Sequence, residues 1–402
     1  MRIAFITVGD TSRLTGGYLY NARVFDGLGK YGIEVEEIVP SGASAAEQKG
    51  GIPNLATFDP RGFDAVVVDA LARIVCSSFI KDWRRDLPVV AMVHELPSLA
   101  APEGDVEKER GFEEALLGVD LFIAVSGHGK SVLENRGVLA KRIRVVSPGF
   151  DGLAPKTPER RIPPDAATDG GTARRAVSRV GSSSRWGGCS IGETFHRNVS
   201  TIEGAGRRRG SEAGVGTPAD SGGLRALCVA QWIERKGVLD LVEAWRMVDA
   251  PNASLELVGE TDADPEYHSR VMEAIGEDPS IIVSGKLDDG SLAVAYANSD
   301  FFVLPSRFEG YGIVYAEALS FGLPIVACDV GPVPELVGGE AGVFVSPRDE
   351  AGLSREIGNL LSDGGLRDRM SEAAIRRAGE LPRWEDTARG FAEVLREAAE
   401  DG

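Results

Sequence analysis

The stretch Phe301 to Val330, FFVLPSRFEGYGIVYAEALSFGLPIVACDV, restricts the fold of this chain more than any other. It opens on an apolar run, Phe301 to Leu304, that reads as a buried strand of a parallel sheet ending at Pro305. The polar loop Ser306 to Gly312 follows. Val314, Ala318 and Leu319 then fall on one helical face until Gly322 and Pro324 stop the helix. A second apolar run, Ile325 to Cys328, is the next strand, so the unit is βαβ and calls for a parallel sheet covered by helices.

Two carboxylates mark this unit. Glu309 lies in the loop and Glu317 inside the helix, a spacing that puts both on roughly one side of its N-terminal half at about 3.6 residues per turn. Free backbone N–H groups there attract anions. A carboxylate beside such a site does not bind the anion. It accepts hydrogen bonds from hydroxyls next to it, which a ribose or a hexose offers, while the Gly310 and Gly312 amides approach phosphate closely. Either glutamate alone reads as an ordinary helix-terminal or solvated side chain; the pair, set around a Gly-Tyr-Gly turn, is the informative feature.

The whole chain has 402 residues, 43% of them hydrophobic, which is enough for two cores. No apolar run approaches the ~18 residues of a membrane span, and the N-terminus enters a strand directly, so the expected location is cytoplasmic. Cys76, Cys189, Cys228 and Cys328 are scattered without CxxC spacing, which indicates neither a zinc site nor a disulfide framework. Net charge is −17. Residues 1–151 carry 17 basic and 21 acidic side chains, residues 152–223 carry 11 and 7, and residues 224–402 carry 16 and 33. The acidic second half repels nucleic acid and anionic lipid, and a nucleotide diphosphate needs local cations there.

From the N-terminus, strands are expected at Arg2 to Val8, Glu34 to Val39, Ala65 to Val68, Val89 to Val93, Leu121 to Val125 and Arg144 to Val146, with helices between them. A glycine loop with Gly16 and Gly17 precedes a helix bearing Tyr20, Val24 and Leu28 on one face; it lacks the GxGxxG spacing of dinucleotide sites. His94 and Glu95 end the fourth strand, where such folds bind ligands, whereas His128 falls in the next helix start. Residues 152–223 hold 14 glycines and 11 Lys or Arg, only two aromatics, and no sustained period, so disorder is expected. A lineage-specific insertion, a basic tether and an altered reading frame all fit this stretch.

A second alternation follows. Leu224 to Ala230 is a strand, then come Gln231, Arg235, Lys236 and Gly237, and a helix from Val238 to Arg246. Further strands fall at Leu255 to Val258 and Ile281 to Val283, the latter leading to Gly285. Helices fall around Tyr267 to Ile275, at Leu292 to Ala297, twice after Val345, and from Trp384 to Ala398.

Glu309-x7-Glu317, with Pro305-Ser306, Gly322-Leu323-Pro324 and the run Gly342 to Pro347, resembles the donor site of retaining nucleotide-sugar glycosyltransferases of family 4. The resemblance spans most of residues 1–151 and 224–402. It implies an α/β GT-B fold: an acceptor-side Rossmann-like domain over 1–151, a linker or insertion over 152–223, a nucleotide-sugar domain over 224–380, and a helix over 381–402 crossing back to the first domain, with Trp384 as a packing anchor. It implies that Lys236, Glu309 and His94 serve catalysis. Lys236 and the amides of Gly310, Tyr311 and Gly312 hold the diphosphate, Glu317 the ribose, Glu309 the sugar hydroxyls, and the backbone after Gly285 the base, with Gly16 and Gly17 lying across the cleft. The family pairs this lysine with an arginine five residues earlier; here that place holds Gln231, and Arg235 or Arg307 is left to compensate.

The implied reaction moves a glycosyl group from a nucleoside diphosphate sugar to an acceptor hydroxyl with retention and without metal or cofactor. Peripheral membrane contact and oligomeric state stay open. Two alternatives remain: a sugar-nucleotide or glycan-binding protein without turnover, and a sugar-nucleotide epimerase, for which no acid/base groups can be placed.

Overall fold

The structure, a computed structural model, describes residues 1–9, 11, 16–40, 44–101, 103–152 and 223–401. The expected disorder of 152–223, with Cys189 in it, falls almost wholly outside the described residues.

Two six-stranded parallel sheets form the scaffold. The first contains β1 (Arg2–Ile6), β2 (Glu34–Ile38), β3 (Ala65–Asp69), β4 (Val89–Val93), β5 (Leu121–Ala124) and β6 (Ile143–Val145), in the order β2-β1-β3-β4-β5-β6. The second contains β7 (Arg225–Val229), β8 (Ser254–Val258), β9 (Ile281–Gly285), β10 (Phe301–Leu304), β11 (Ile325–Cys328) and β12 (Gly342–Val345), in the order β12-β11-β10-β7-β8-β9. The expected strands are all present, with ends shifted by a residue or two. β6, for example, begins at Ile143 and stops before Val146.

Central strands are sealed on both faces: every residue of β3, β4, β5, β10 and β11 is buried. This is why their sequences are continuous apolar runs. The edge strand β2, Glu-Val-Glu-Glu-Ile, is mostly exposed, and its charges discourage pairing with another chain. In each sheet the order reverses beside the first strand, between β1 and β3 and between β7 and β10. Loops leaving the carboxyl ends of the strands there splay apart and open a crevice. The two crevices face each other. A Cβ at Gly310 would fall 3.6 Å from the carbonyl oxygen of His94, and one at Gly16 would fall 4.0 Å from Ile313 Cδ1.

The helix Trp384–Asp401 leaves the second half and packs on the first. Phe391, Ala392, Val394, Leu395 and Ala398 join Ile3, Phe5, Tyr20, Val24 and Ile123 in one core. Burying each large apolar side chain contributes about 2 kcal/mol. Close approach needs small residues: a Cβ on Gly27, in the helix Gly16–Leu28, would lie 2.4 Å from Ala388 Cβ. The two chain crossings between the halves run side by side, with Phe150 N–H donating to the Pro382 carbonyl at 2.8 Å and Thr387 Oγ1 to the Ser147 carbonyl at 2.9 Å. Trp384 packs edge-on to Tyr20, ring centroids 6.0 Å apart.

Candidate functional site

The second sheet's crevice is built from the loops after β7 and β10. After β7 the chain makes a short turn, Glu234–Lys236, closed by Gly237 at φ 67°. A Cβ there would stand 2.3 Å from the Pro305 carbonyl oxygen, so glycine is required both by conformation and by space. This turn delivers Lys236 to Glu309, Nζ to Oε1 at 2.6 Å. Ser306 Oγ donates to the same oxygen at 2.7 Å, and Glu309 is 5% exposed. Oε2 of Glu309 has no partner among the described residues, so one acceptor oxygen stays available.

Glu317 lies within the helix Ile313–Ser320 and does not pair with Glu309. It accepts a 2.8 Å hydrogen bond from Tyr296 Oη, and Tyr296 comes from the helix Asp289–Ala297. Burial pushes the Glu317 carboxyl up to about 7, against the pull of that hydrogen bond. The helix Ile313–Ser320 begins after Gly312 at φ 94°, and its first amides have no partner within the helix.

The other positions divide clearly. Gln231 Nε2 donates to Glu260 at 2.6 Å, so its amide is already engaged by a carboxylate. Arg235 is exposed and reaches the Phe308 carbonyl at 3.4 Å, within range of the crevice. Arg307 is not available to compensate: its Nε and Nη2 hold Asp240 at 3.0 and 2.6 Å, and Nη1 pairs with Glu234. Gly285, φ 65°, ends β9 and its carbonyl accepts from Gly259 N–H at 2.8 Å, away from Lys236 on the far side of β7 and β8. Tyr311 Oη reaches the Pro148 carbonyl at 3.5 Å across the cleft.

On the first sheet, Gly16 and Gly17 are not a loop. They are the first two residues of the helix Gly16–Leu28, so their amides are the unpaired ones of its first turn. Gly17 is in ordinary contact with the His94 ring, a Cβ there lying 3.4 Å from Cδ2, so a larger side chain would press on the imidazole. His94 Nε2 lies 3.0 Å from Asn21 Oδ1, and its ring stands edge-on to Tyr20. Burial pushes the imidazole below its ordinary range, outweighing the opposite pull of Asp69.

Glu95, which the sequence places with His94 at the end of the fourth strand, faces Gly310, whose Cβ would fall 2.9 Å from its Oε2; burial pushes this carboxyl up, with Arg235 and Lys236 pulling against it and Glu309 with it. Glu335, Asp69 and Asn21 escaped sequence reasoning. Glu335, in Val333–Val337, accepts from Gly127 and His128 N–H at 3.2 and 3.1 Å, closing the cleft by capping the helix Gly127–Asn135 from the other half. Asp69, ending β3, supports Asn21. Its only sequence signal was a polar residue at the carboxyl end of an apolar run. Among the described residues no three His, Cys, Asp or Glu side chains gather as for a metal ion, and no helix is long and apolar enough to cross a membrane.

Residues 223–363 match the family model described as "Glycosyl transferases group 1". Among curated proteins, the chain is 27% identical over 176 residues to an uncharacterized glycosyltransferase of Methanocaldococcus jannaschii, covering 43% of this chain and 45% of the relative. It is 31% identical over 156 residues to an MMP alpha-(1->4)-mannosyltransferase of Mycolicibacterium hassiacum, covering 38% of each chain. The matched stretches thus span less than half the length of these curated relatives. Over whole chains, sucrose-phosphate synthase from Thermosynechococcus elongatus superimposes with a TM-score of 0.71 at 20% identity, covering 100% of both chains. Anabaena HepE, solved in complex with UDP-glucose, does so with a TM-score of 0.66 at 16% identity, covering 99% of this chain and 100% of that one. The architecture is GT-B: two Rossmann-like domains facing a cleft.

Proposed function

We propose that this chain is a retaining glycosyltransferase of family 4, moving a glycosyl group from a nucleoside diphosphate sugar to an acceptor hydroxyl. The observation that carries the reading is the Lys236–Glu309 pair at the second sheet's switch point, with Glu309 Oε2 unpaired among the described residues and the helix Ile313–Ser320 starting just after this loop. The division of the chain at 1–151, 224–380 and 381–402 belongs to the same proposal.

In this reading the diphosphate lies against the Gly310, Tyr311 and Gly312 amides and draws Lys236 partly from Glu309. Glu309 then accepts from sugar hydroxyls and Glu317 from the ribose. The bond from the anomeric carbon to the leaving phosphate oxygen breaks, and the acceptor oxygen bonds to that carbon on the same face. The acceptor's proton passes to the leaving oxygen, so the protein need not supply a base or a metal. Its contribution is charge stabilisation and exclusion of water by the closed cleft.

Gln231 favours a second reading, a binding protein without turnover. Its amide is engaged by Glu260, which adds negative charge where the family places an arginine. A panel of UDP-, GDP- and ADP-sugars separates the two, with Glu309→Ala and Lys236→Ala alongside. Release of one nucleoside diphosphate, lost in both variants, establishes transfer and its donor; nucleotide binding without release from any donor establishes the second reading.

A further inference from the structure

A buried polar chain occupies the first sheet's switch point. Thr7 follows β1, Asp69 ends β3, Asn21 comes from the helix after β1, and His94 follows β4. Asp69 is 1% exposed, Asn21 3% and Thr7 0%. Asp69 Oδ1 accepts from Leu71 N–H at 2.9 Å, and Oδ2 accepts from Thr7 Oγ1 at 3.0 Å and from Asn21 Nδ2 at 3.3 Å. That leaves Asn21 Oδ1 facing His94 Nε2 at 3.0 Å. The orientation of the amide is forced: flipped, it would set its oxygen against the Asp69 carboxylate. An amide oxygen accepts and never donates, so Nε2 must carry the ring proton. The other nitrogen, Nδ1, has no hydrogen-bond partner among the described residues, and none of their fully buried side-chain nitrogens or oxygens goes unpaired. Nδ1 is therefore open to the cleft.

We infer that Asn21, oriented by Asp69, is a positioning residue that locks His94 in the Nε2–H tautomer and presents Nδ1 as a bare acceptor to the cleft. Resting on the sugar-transfer reading, this gives His94 a defined polarity: it takes a hydrogen bond from a hydroxyl of the bound sugar or acceptor and discriminates against a group that only accepts. A histidine free to change tautomer would serve both.

The chain has a direction, and one substitution reverses it. In Asp69→Asn the new amide keeps its oxygen on Leu71 N–H and turns its Nδ2 toward Asn21. Asn21 then flips, its Nδ2 donates to His94 Nε2, and the ring proton moves to Nδ1. Nitrogen-15 histidine labelling of the full chain, with His94→Gln to assign the signal, reads this tautomer in the absence of any substrate. The expected result is a bare Nδ1 in the wild type, a protonated Nδ1 in Asp69→Asn, and a mixture in Asn21→Ala, where the amide is gone. A protonated Nδ1 in the wild type, or one unchanged tautomer in the wild type and Asn21→Ala, overturns the inference. With a responsive donor from the panel, Asp69→Asn should also slow transfer about tenfold, the loss of one hydrogen bond. Because the tautomer is read without substrate, failure of the sugar-transfer reading leaves this result standing.

Discussion

Glu317→Gln should make the protein more stable and less able to bind nucleotide, and the stability gain should depend on pH. The Glu317 carboxyl is pushed up to about 7 by burial, against 4.5 for an ordinary glutamate. Below the unfolded value the group is protonated in both states, and Gln and Glu should be nearly equivalent. Between the two values the unfolded chain loses the proton while the fold retains it, so wild-type stability falls as pH rises. Above about 7 both states are ionised, and the deficit levels off at roughly 2.5 pH units times 1.36, or about 3 kcal/mol. Gln keeps an oxygen to accept from Tyr296 Oη but carries no charge to desolvate. The gain in Glu317→Gln should therefore be near zero at pH 4.5 and approach about 3 kcal/mol at pH 8 as an upper limit. Melting temperature across that pH range measures it, and nucleotide affinity at pH 8 should fall in the same variant. A melting difference that is flat with pH, or negative at pH 8, would refute the argument.

The ion pair gives a different signature. Lys236→Ala leaves Glu309 buried without its cation and should cost about 3 to 5 kcal/mol in denaturant unfolding, whereas Lys236→Met with Glu309→Gln should cost clearly less. Gly237→Ala should destabilise by more than about 2 kcal/mol and slow transfer by displacing Lys236. Gly32→Ala has nearly the same φ but open space around it and should cost only about 1 to 2 kcal/mol, so equal losses would remove the Pro305 carbonyl from the explanation. Glu335→Ala should open the cleft, seen as a larger radius of gyration in solution scattering of the ligand-free protein. High salt should move the wild type the same way; an unchanged radius in the variant sinks the latch.

The alternation of strands and helices was legible because both sheets are sealed, and a strand buried on both faces has to be written as an uninterrupted apolar run. Glu309 and Lys236 stood out as polar residues in short loops between such runs and through the family resemblance, but their 2.6 Å pairing with each other was not foreseen. What could not be read was partnership. Nothing along the chain says that Arg307 belongs to Asp240, which removes it from the crevice, or that Gln231 belongs to Glu260. Asp69 and Asn21 were missed because each alone is an unremarkable polar residue, and only the packing of β1 against β3 brings them to His94. Gly16 and Gly17 read as a glycine loop, yet they start a helix and Gly17 lies beside an imidazole ring, a reason visible only in three dimensions.

The helix Trp384–Asp401 carries a consequence for the order in which the chain is made. The strands of the first sheet are complete by Val145, but Arg144 finds Glu397 only 253 residues later. At about 5 to 20 residues per second, a ribosome needs on the order of ten seconds or more to supply that helix. Throughout that interval the sheet face bearing Ile3, Phe5, Val67 and Ile123 is covered only in part, by the helix Gly16–Leu28, while the second half, whose core draws on its own residues, is free to close as it emerges. Vectorial synthesis therefore delivers the first half early and finishes it last, and a nascent chain paused before residue 384 exposes the surface that a chaperone would have to shield.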